Sequence, residues 1–417
     1  MRIDKVTFSG GVSGFYFDDQ RAIKEGARRD GFAYKGEPAT RGFTAIRQPG
    51  ESISFILRLE NGAIARGDAA AVQYSGAHGR SPLFIAEQHL PHLRNRLGPA
   101  LEGLELNSFR DAIRQVDRLD EAETIHPAVR YGLSQAVLEA VALARNALKV
   151  EVICEEYDLP LVPEPLPIFG QSGDHRHEGA DKMILKEADV LPHGLLNNVR
   201  EKIGTRGEKL REYLTWLTGR IRELRLRDDY QPTLHIDVYG NLGSVFDRDT
   251  ERIADYLGRL DDITGEFPLY VEGPVDMDEQ DRHIELLGNI RRELQKRDIS
   301  VKIVADEWCN SFDDVKKFVD ARCCDMVQLK TPHLGSLHSL INAALYCRNS
   351  EVEYYQGGTC NETDISARCC VHVALATRPD RMLAKPGMGF DEGFMIVKNE
   401  MNRTLALLNG REEQDNG

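Results

Sequence analysis

Leu234-His-Ile-Asp237-Val-Tyr-Gly240 is a short apolar run that closes on a carboxylate. The same phrase returns in Leu269-Tyr-Val-Glu272-Gly-Pro274 and in Lys302-Ile-Val-Ala-Asp306-Glu-Trp308. The carboxylates are 35 and 34 residues apart, close to the length of one strand-plus-helix unit. Working outward, further short strand-like segments occur at Leu166–Phe169, Met183–Leu185, Met326–Leu329, Glu353–Tyr355 and Met382–Ala384. Helical periodicity lies between most of them. Leu210, Leu214, Leu217, Ile221 and Leu224 recur at steps of four and three, as do Ile253, Leu257 and Leu260. Eight strands alternating with helices over about 230 residues predict an α/β fold, a (β/α)8 TIM-like barrel.

Upstream the pattern differs. Ile3-Asp4-Lys5-Val6-Thr7-Phe8 and Ser52 to Leu59 alternate as half-buried strands do, and Asn61-Gly62 marks a hairpin turn before a return strand through Ile64. Val129, Leu133, Val137, Val141 and Ala144 then line one face of a helix over 128–146. Pro160, Pro163, Pro165 and Pro167 exclude helix and make a stiff crossing. The expected organisation is an N-terminal α+β domain over 1–160, a barrel over 161–410 and a disordered tail over 411–417.

The chain of 417 residues carries 53 Lys and Arg against 67 Asp and Glu, a formal net charge of −14, which opposes binding to nucleic acid. Its basic stretch at 200–227 is interleaved with Glu201, Glu208, Glu212 and Glu223, as on a solvated helix. No apolar run approaches 18 residues, so no membrane span is expected. Of eight cysteines seven follow residue 300, in no disulfide or zinc spacing. A reduced, cytoplasmic protein acting on a small molecule is expected.

In such a barrel, catalytic groups stand at the C-terminal ends of the strands. Asp237, Glu272 and Asp306 would then converge on one face and could hold a hard divalent cation such as Mg²⁺. Singly, each reads first as a carboxylate that caps the next helix or lines a loop, and it is the three in register that point to metal; Glu307 is an alternative third ligand. Gln328 and Lys330 are two apart and share the inward side of the sixth strand. Lys330 is either an ion-pair partner of the carboxylates or a general base kept competent by desolvation and a nearby cation. Gly357-Gly358-Thr359-Cys360 offers close backbone approach and a hydroxyl. His175 and His177, in a polar loop, read as exposed, and His193 carries no signal from spacing alone.

Together GDAAAVQYSG (67–76), PIFGQSGDH (167–175), HIDVYGN (235–241), YVEGP (270–274), IVADEW (303–308), QLKTPHLG (328–335) and YYQGGTCNETD (354–364) resemble the methylaspartate ammonia-lyase family of the enolase superfamily over essentially the whole chain. The resemblance implies an enolase-like fold in which the N-terminal domain caps the barrel. It implies reversible, Mg²⁺-dependent elimination of ammonia from (2S,3S)-3-methylaspartate to mesaconate through an enolate. On it, Asp237, Glu272 and Asp306 are the metal ligands and Lys330 the base. His193 lies on the opposite face and serves the 3-epimer. Gln171, Gln328, Thr359, Cys360 and Gln73 contact substrate. It further implies activation by K⁺ and a homodimer. The KxK pair common on the second strand in the superfamily is replaced by Lys182 and Lys186, four apart, which argues against the racemase and cycloisomerase branches.

The chemistry explains the cation. The C3 proton is so weakly acidic that its mismatch with an amine base is roughly 20 pK units, on the order of 25–30 kcal/mol. The competing readings are another lyase of the superfamily, acting on a different amino acid or acid sugar, and a non-catalytic barrel that only binds.

Overall fold

The structure, a computed structural model, describes residues 1–120 and 125–415. Its N-terminal part is built on an antiparallel sheet of Ile3–Asp18, Arg47–Leu59 and Ile64–Ala70, paired in chain order. In the middle strand Ile53, Phe55, Leu57 and Leu59 alternate into the core, as the period of two requires.

Helix Pro127–Arg145 lies on that sheet at backbone distance. A Cβ on Gly67 would sit 2.2 Å from the Gly132 carbonyl oxygen, and one on Gly132 would sit 2.3 Å from the Ala69 nitrogen. Buried Gln135 completes the contact: it accepts from the Asp68 N–H at 3.1 Å and donates to the Asp68 carbonyl at 3.0 Å. A small hairpin, Arg28–Asp30 with Ala33–Lys35, projects between the first two strands of the sheet in sequence.

Residues 159–167 cross without helix or strand. A closed barrel follows: β1 (Ile168–Phe169), β2 (Val190–His193), β3 (Thr233–Asp237), β4 (Leu269–Glu272), β5 (Lys302–Ala305), β6 (Met326–Leu329), β7 (Glu353–Gln356) and β8 (Arg381–Leu383). All pairs are parallel, and β8 closes on β1 through Met382↔Ile168 and Leu383↔Phe169. Inside, Phe169, Val190, Tyr270, Val304, Met326, Tyr355 and Leu383 fill the lumen as a packed layer.

One expectation is corrected. Met183–Leu185 is not the second strand but the end of helix Arg176–Leu185, where Gly179, Ala180, Met183 and Ile184 form one buried helical face. The true β2 contains Pro192, a residue that argues against an interior strand because it lacks an N–H donor. Lys182 and Lys186 therefore lie outside the lumen, both paired with Asp391, and β2 itself carries no lysine. The final helix is Asp391–Asp415, and residues 416–417 of the expected tail over 411–417 lie outside the described part.

Gly132→Ala should lower the urea midpoint by an amount equivalent to about 1–3 kcal/mol, since neither backbone can yield. Gly219→Ala, on an exposed helix face with nothing within 4 Å of its Cβ, should leave stability unchanged or raise it by up to about 1 kcal/mol. Equal effects at the two positions would remove the close approach as the reason for Gly132.

Candidate active site

Asp237 ends β3, Glu272 ends β4, and Asp306 is the first residue past β5. Asp237 and Glu272 are direct partners in the β3–β4 register, so the ladder itself sets them side by side. One oxygen from each of the three carboxylates lies within 4.8 Å of the others, and all three side chains are buried. Burial first, and then repulsion among the carboxylates, pushes Asp237 and Glu272 well above the usual carboxylate range.

Glu272 is held most tightly. It accepts from the Tyr355 hydroxyl at 2.8 and 2.9 Å, from Gln328 Nε2 at 2.9 Å and from His235 Nε2 at 2.9 Å. Burial keeps His235 neutral, and Arg381 reaches its Nδ1 at 3.4 Å, which leaves the ring proton on Nε2 facing Glu272. Asp237 accepts from the Tyr239 N–H at 3.0 Å. Lys330 Nζ is 2.6 Å from Asp306 Oδ1. The three carboxylates form an oxygen-only donor set, which fits a hard divalent ion.

Asp306 and Glu307 diverge. Glu307 pairs with Arg80 from the N-terminal domain and lies 3.8 Å from His78 Nδ1; these charges hold it near 2 in spite of burial. The same Arg80 reaches Asp306 Oδ2 at 3.5 Å. Glu307 is thus turned away from the carboxylate trio.

One cavity of about 540 Å³ of atom-free space, partly open to solvent, gathers Gln73, Gln171, His193, Asp237, Asp306, Gln328, Lys330, Thr359 and Cys360. Glu272 stands behind it. His193, the last residue of β2, is held at φ +62°, in the left-handed region, with its Nε2 3.6 Å from Asp237 Oδ2. Burial drops its imidazole to about 4, so it is neutral at neutral pH. Gln171 Nε2 and Gln328 Oε1 are buried without a protein partner. Cys360, kept a thiol by burial that pushes it up to about 12, donates to Gln73 Oε1 at 3.4 Å. Thr359 Oγ1 accepts from the Asn361 N–H at 3.2 Å. His175 and His177 do not join the trio; His177 packs its ring against Trp216 at 4.4 Å.

The loop carrying Thr359 rests on a fully buried ion pair, Lys385 Nζ to Glu362 Oε1 at 2.6 Å, with Tyr131 donating to the other carboxylate oxygen at 2.7 Å. Gly358 needs its φ of +132° and its bare Cα there, since a Cβ would meet Glu362 at 2.4 Å and Lys385 at 2.5 Å. The sequence reading missed this pair, along with Arg80, His235 and Tyr355. His235 was within reach: two residues before Asp237, it must point to the same side of β3.

Comparison with known proteins decides the family. The methylaspartate ammonia-lyase N-terminus model matches residues 1–158, and the C-terminus model matches residues 160–410. The chain belongs to the methylaspartate ammonia-lyase family. It is 57% identical to the methylaspartate ammonia-lyase of Citrobacter amalonaticus over 413 residues, 99% of this chain and 100% of that one. The crystal structure of the Citrobacter amalonaticus enzyme containing (2S,3S)-3-methylaspartic acid superposes with a TM-score of 0.96, covering 98% of this chain and 100% of that one. A Mg complex of the β-methylaspartase of Clostridium tetanomorphum, 49% identical, gives 0.93 with 99% and 100% coverage. Beyond this methylaspartate ammonia-lyase family the fold alone is shared. An L-Ala-D/L-Glu epimerase from Bacillus subtilis, 16% identical, superposes at a TM-score of 0.63 over 95% of this chain and 91% of that one.

The carboxylate trio sets a signed expectation. In EDTA, Asp237→Asn should melt at or above the parent protein, because it removes one of three repelling buried charges. Mg²⁺ at about 100 times its Kd should stabilise the parent by about 2.7 kcal/mol, a rise of several degrees, and leave the variant unmoved. A parent-like Mg²⁺ shift in Asp237→Asn would take Asp237 out of the ligand set.

Proposed function

We propose that this chain catalyses the reversible elimination of ammonia from (2S,3S)-3-methylaspartate to give mesaconate. The observation that carries the reading is the buried carboxylate trio beside Lys330 at the barrel mouth, in a chain 57% identical to a methylaspartate ammonia-lyase over 413 residues.

Asp237, Glu272 and Asp306 hold Mg²⁺, and the bound ion supplies positive charge for the substrate carboxylate next to the ionising carbon. Lys330, the general base, takes the C3 proton. The C–H electron pair becomes the C2–C3 double bond, the C2–N bond breaks, and its electron pair leaves on ammonia. The products are mesaconate and a protonated Lys330, which returns its proton to solvent. Gln171 Nε2 and Gln328 Oε1, bare of protein partners, face the substrate as a donor and an acceptor. Gln73, Thr359 and Cys360 complete its binding. On the family resemblance, His193 acts from the opposite face and takes the proton of the 3-epimer. K⁺ activation and homodimer formation follow from the same family resemblance. Replacing K⁺ with tetramethylammonium and sedimentation of the purified chain read them directly. Eight unpaired, buried cysteines support work in the reducing cytoplasm.

The test is ultraviolet absorbance of the conjugated diacid during incubation with (2S,3S)-3-methylaspartate, with and without Mg²⁺. A rise that requires Mg²⁺ is expected; a flat trace from folded, metal-replete protein overturns the substrate. Lys330→Ala should cut turnover of the 2S,3S isomer by roughly 10²–10⁴, while His193→Ala should weigh more on the 3-epimer. The opposite pattern would reverse the assignment of faces.

A further inference from the structure

Gln73 presents a side-chain amide to the cavity from the N-terminal domain, and something must decide which end of it faces inward. Asp18 closes the first strand of the N-terminal sheet, and Arg47 opens the second directly opposite it in register. The Arg47 guanidinium grips the Asp18 carboxylate with two parallel bonds, Nε to Oδ1 and Nη2 to Oδ2, both 2.7 Å. Both side chains are buried, at 6% and 1% exposed. The guanidinium is also stacked among Phe32 at 4.4 Å, Tyr34 at 5.1 Å and Phe15 at 5.6 Å, contacts that favour its staying charged where water is scarce.

An ionised carboxylate only accepts hydrogen bonds. Asp18 Oδ2 therefore takes the Gln73 amide by its Nε2, at 2.7 Å, while the Asp18 backbone N–H donates to the Gln73 carbonyl at 3.0 Å. Gln73 is thus held twice by Asp18, at its main-chain carbonyl and at its side-chain Nε2. Its Oε1 is left on the cavity side, where the Cys360 thiol, a weak donor, meets it at 3.4 Å.

We propose that Asp18, held by Arg47, is a positioning residue of the site: it locks the Gln73 amide with its oxygen toward the substrate. A fixed acceptor there suits a group rich in N–H donors, which in this substrate is the amine that becomes the leaving ammonia. The inference rests on the function proposed above for its substrate, but the Asp18–Gln73 linkage itself does not.

The experiment is a double-mutant cycle of Asp18→Asn and Gln73→Ala, read in kcat and KM for (2S,3S)-3-methylaspartate and in the thermal midpoint of the substrate-free protein. Asn keeps the shape of Asp18 but can offer its own N–H₂, so the Gln73 amide is no longer obliged to turn its oxygen inward. In folded protein, Asp18→Asn alone should lower kcat/KM about tenfold or more. In the Gln73→Ala background the same change should cost nothing further, because the group it positions is gone. Losses that multiply, or a parent-like Asp18→Asn, overturn the proposal. A parent protein without turnover overturns the proposed function instead, and the midpoints still decide the linkage: coupled shifts sustain it, additive shifts refute it. If Asp18→Asn does not fold, Arg47→Lys, which keeps a cation but loses the two-point grip, takes its place in the cycle with the same criteria.

Discussion

Three carboxylates buried within 4.8 Å of one another are the constraint around which the molecule is arranged. At an effective dielectric near 20, two unit charges 4 Å apart repel by about 4 kcal/mol, and burial adds a desolvation cost for each. Without restraint, the side chains would swing apart or take up protons. The barrel denies them the first escape. Asp237 and Glu272 are locked by strand register, and Glu272 is clamped by Tyr355, Gln328 and His235. The rigid lumen layer of Phe169, Tyr270 and Tyr355 lies against that clamp, with Phe169 stacked on His235 at 4.3 Å. A site that already holds its charges together would need little reorganisation to take up a cation.

How much of this was legible depends on how local each feature is. One carboxylate per strand-plus-helix unit is a local pattern repeated at a fixed interval, and it survives in the sequence because the barrel repeats the same unit. Gln328 and Lys330 were legible for the same reason, since the period of two needs no tertiary knowledge. The second strand was misplaced because Pro192 carries the signature of a loop, while Met183–Leu185 shows the short apolar run of a strand. Only closure of the barrel, which needs an eighth strand between β1 and β3, decides between them. His193 depended on that strand, and its left-handed backbone has no counterpart in composition or spacing.

In the N-terminal domain the family resemblance pointed to Gln73, but neither Arg80 nor the contacts these residues make across the domains could be read from pattern or spacing. Arg80 meets Glu307 across 227 residues of chain, and the Cys360–Gln73 contact spans 287. No periodicity links such pairs, and spacing says nothing of which residue meets which. Buried charges outside the trio follow the same logic: Lys385 and Glu362 lie far below the surface, and their pairing is visible only once Gly358 has been threaded over them.

Asp306 and Glu307 show how the two domains share one electrostatic problem. Adjacent acids at a strand end must point in different directions, and the fold uses both. Asp306 turns to the trio and to Lys330, while Glu307 turns to Arg80. Because Arg80 Nη2 also lies 3.5 Å from Asp306 Oδ2, the guanidinium that fastens the N-terminal domain to the barrel is part of the same field that the trio feels. The close backbone packing of Gly67 on Gly132 anchors the strand Ile64–Ala70, from which the chain runs on to Gln73 and Arg80. Docking of the N-terminal domain and charge balance in the barrel mouth are therefore a single interaction seen from its two sides, and the barrel alone would present an acidic site that is open and incompletely neutralised.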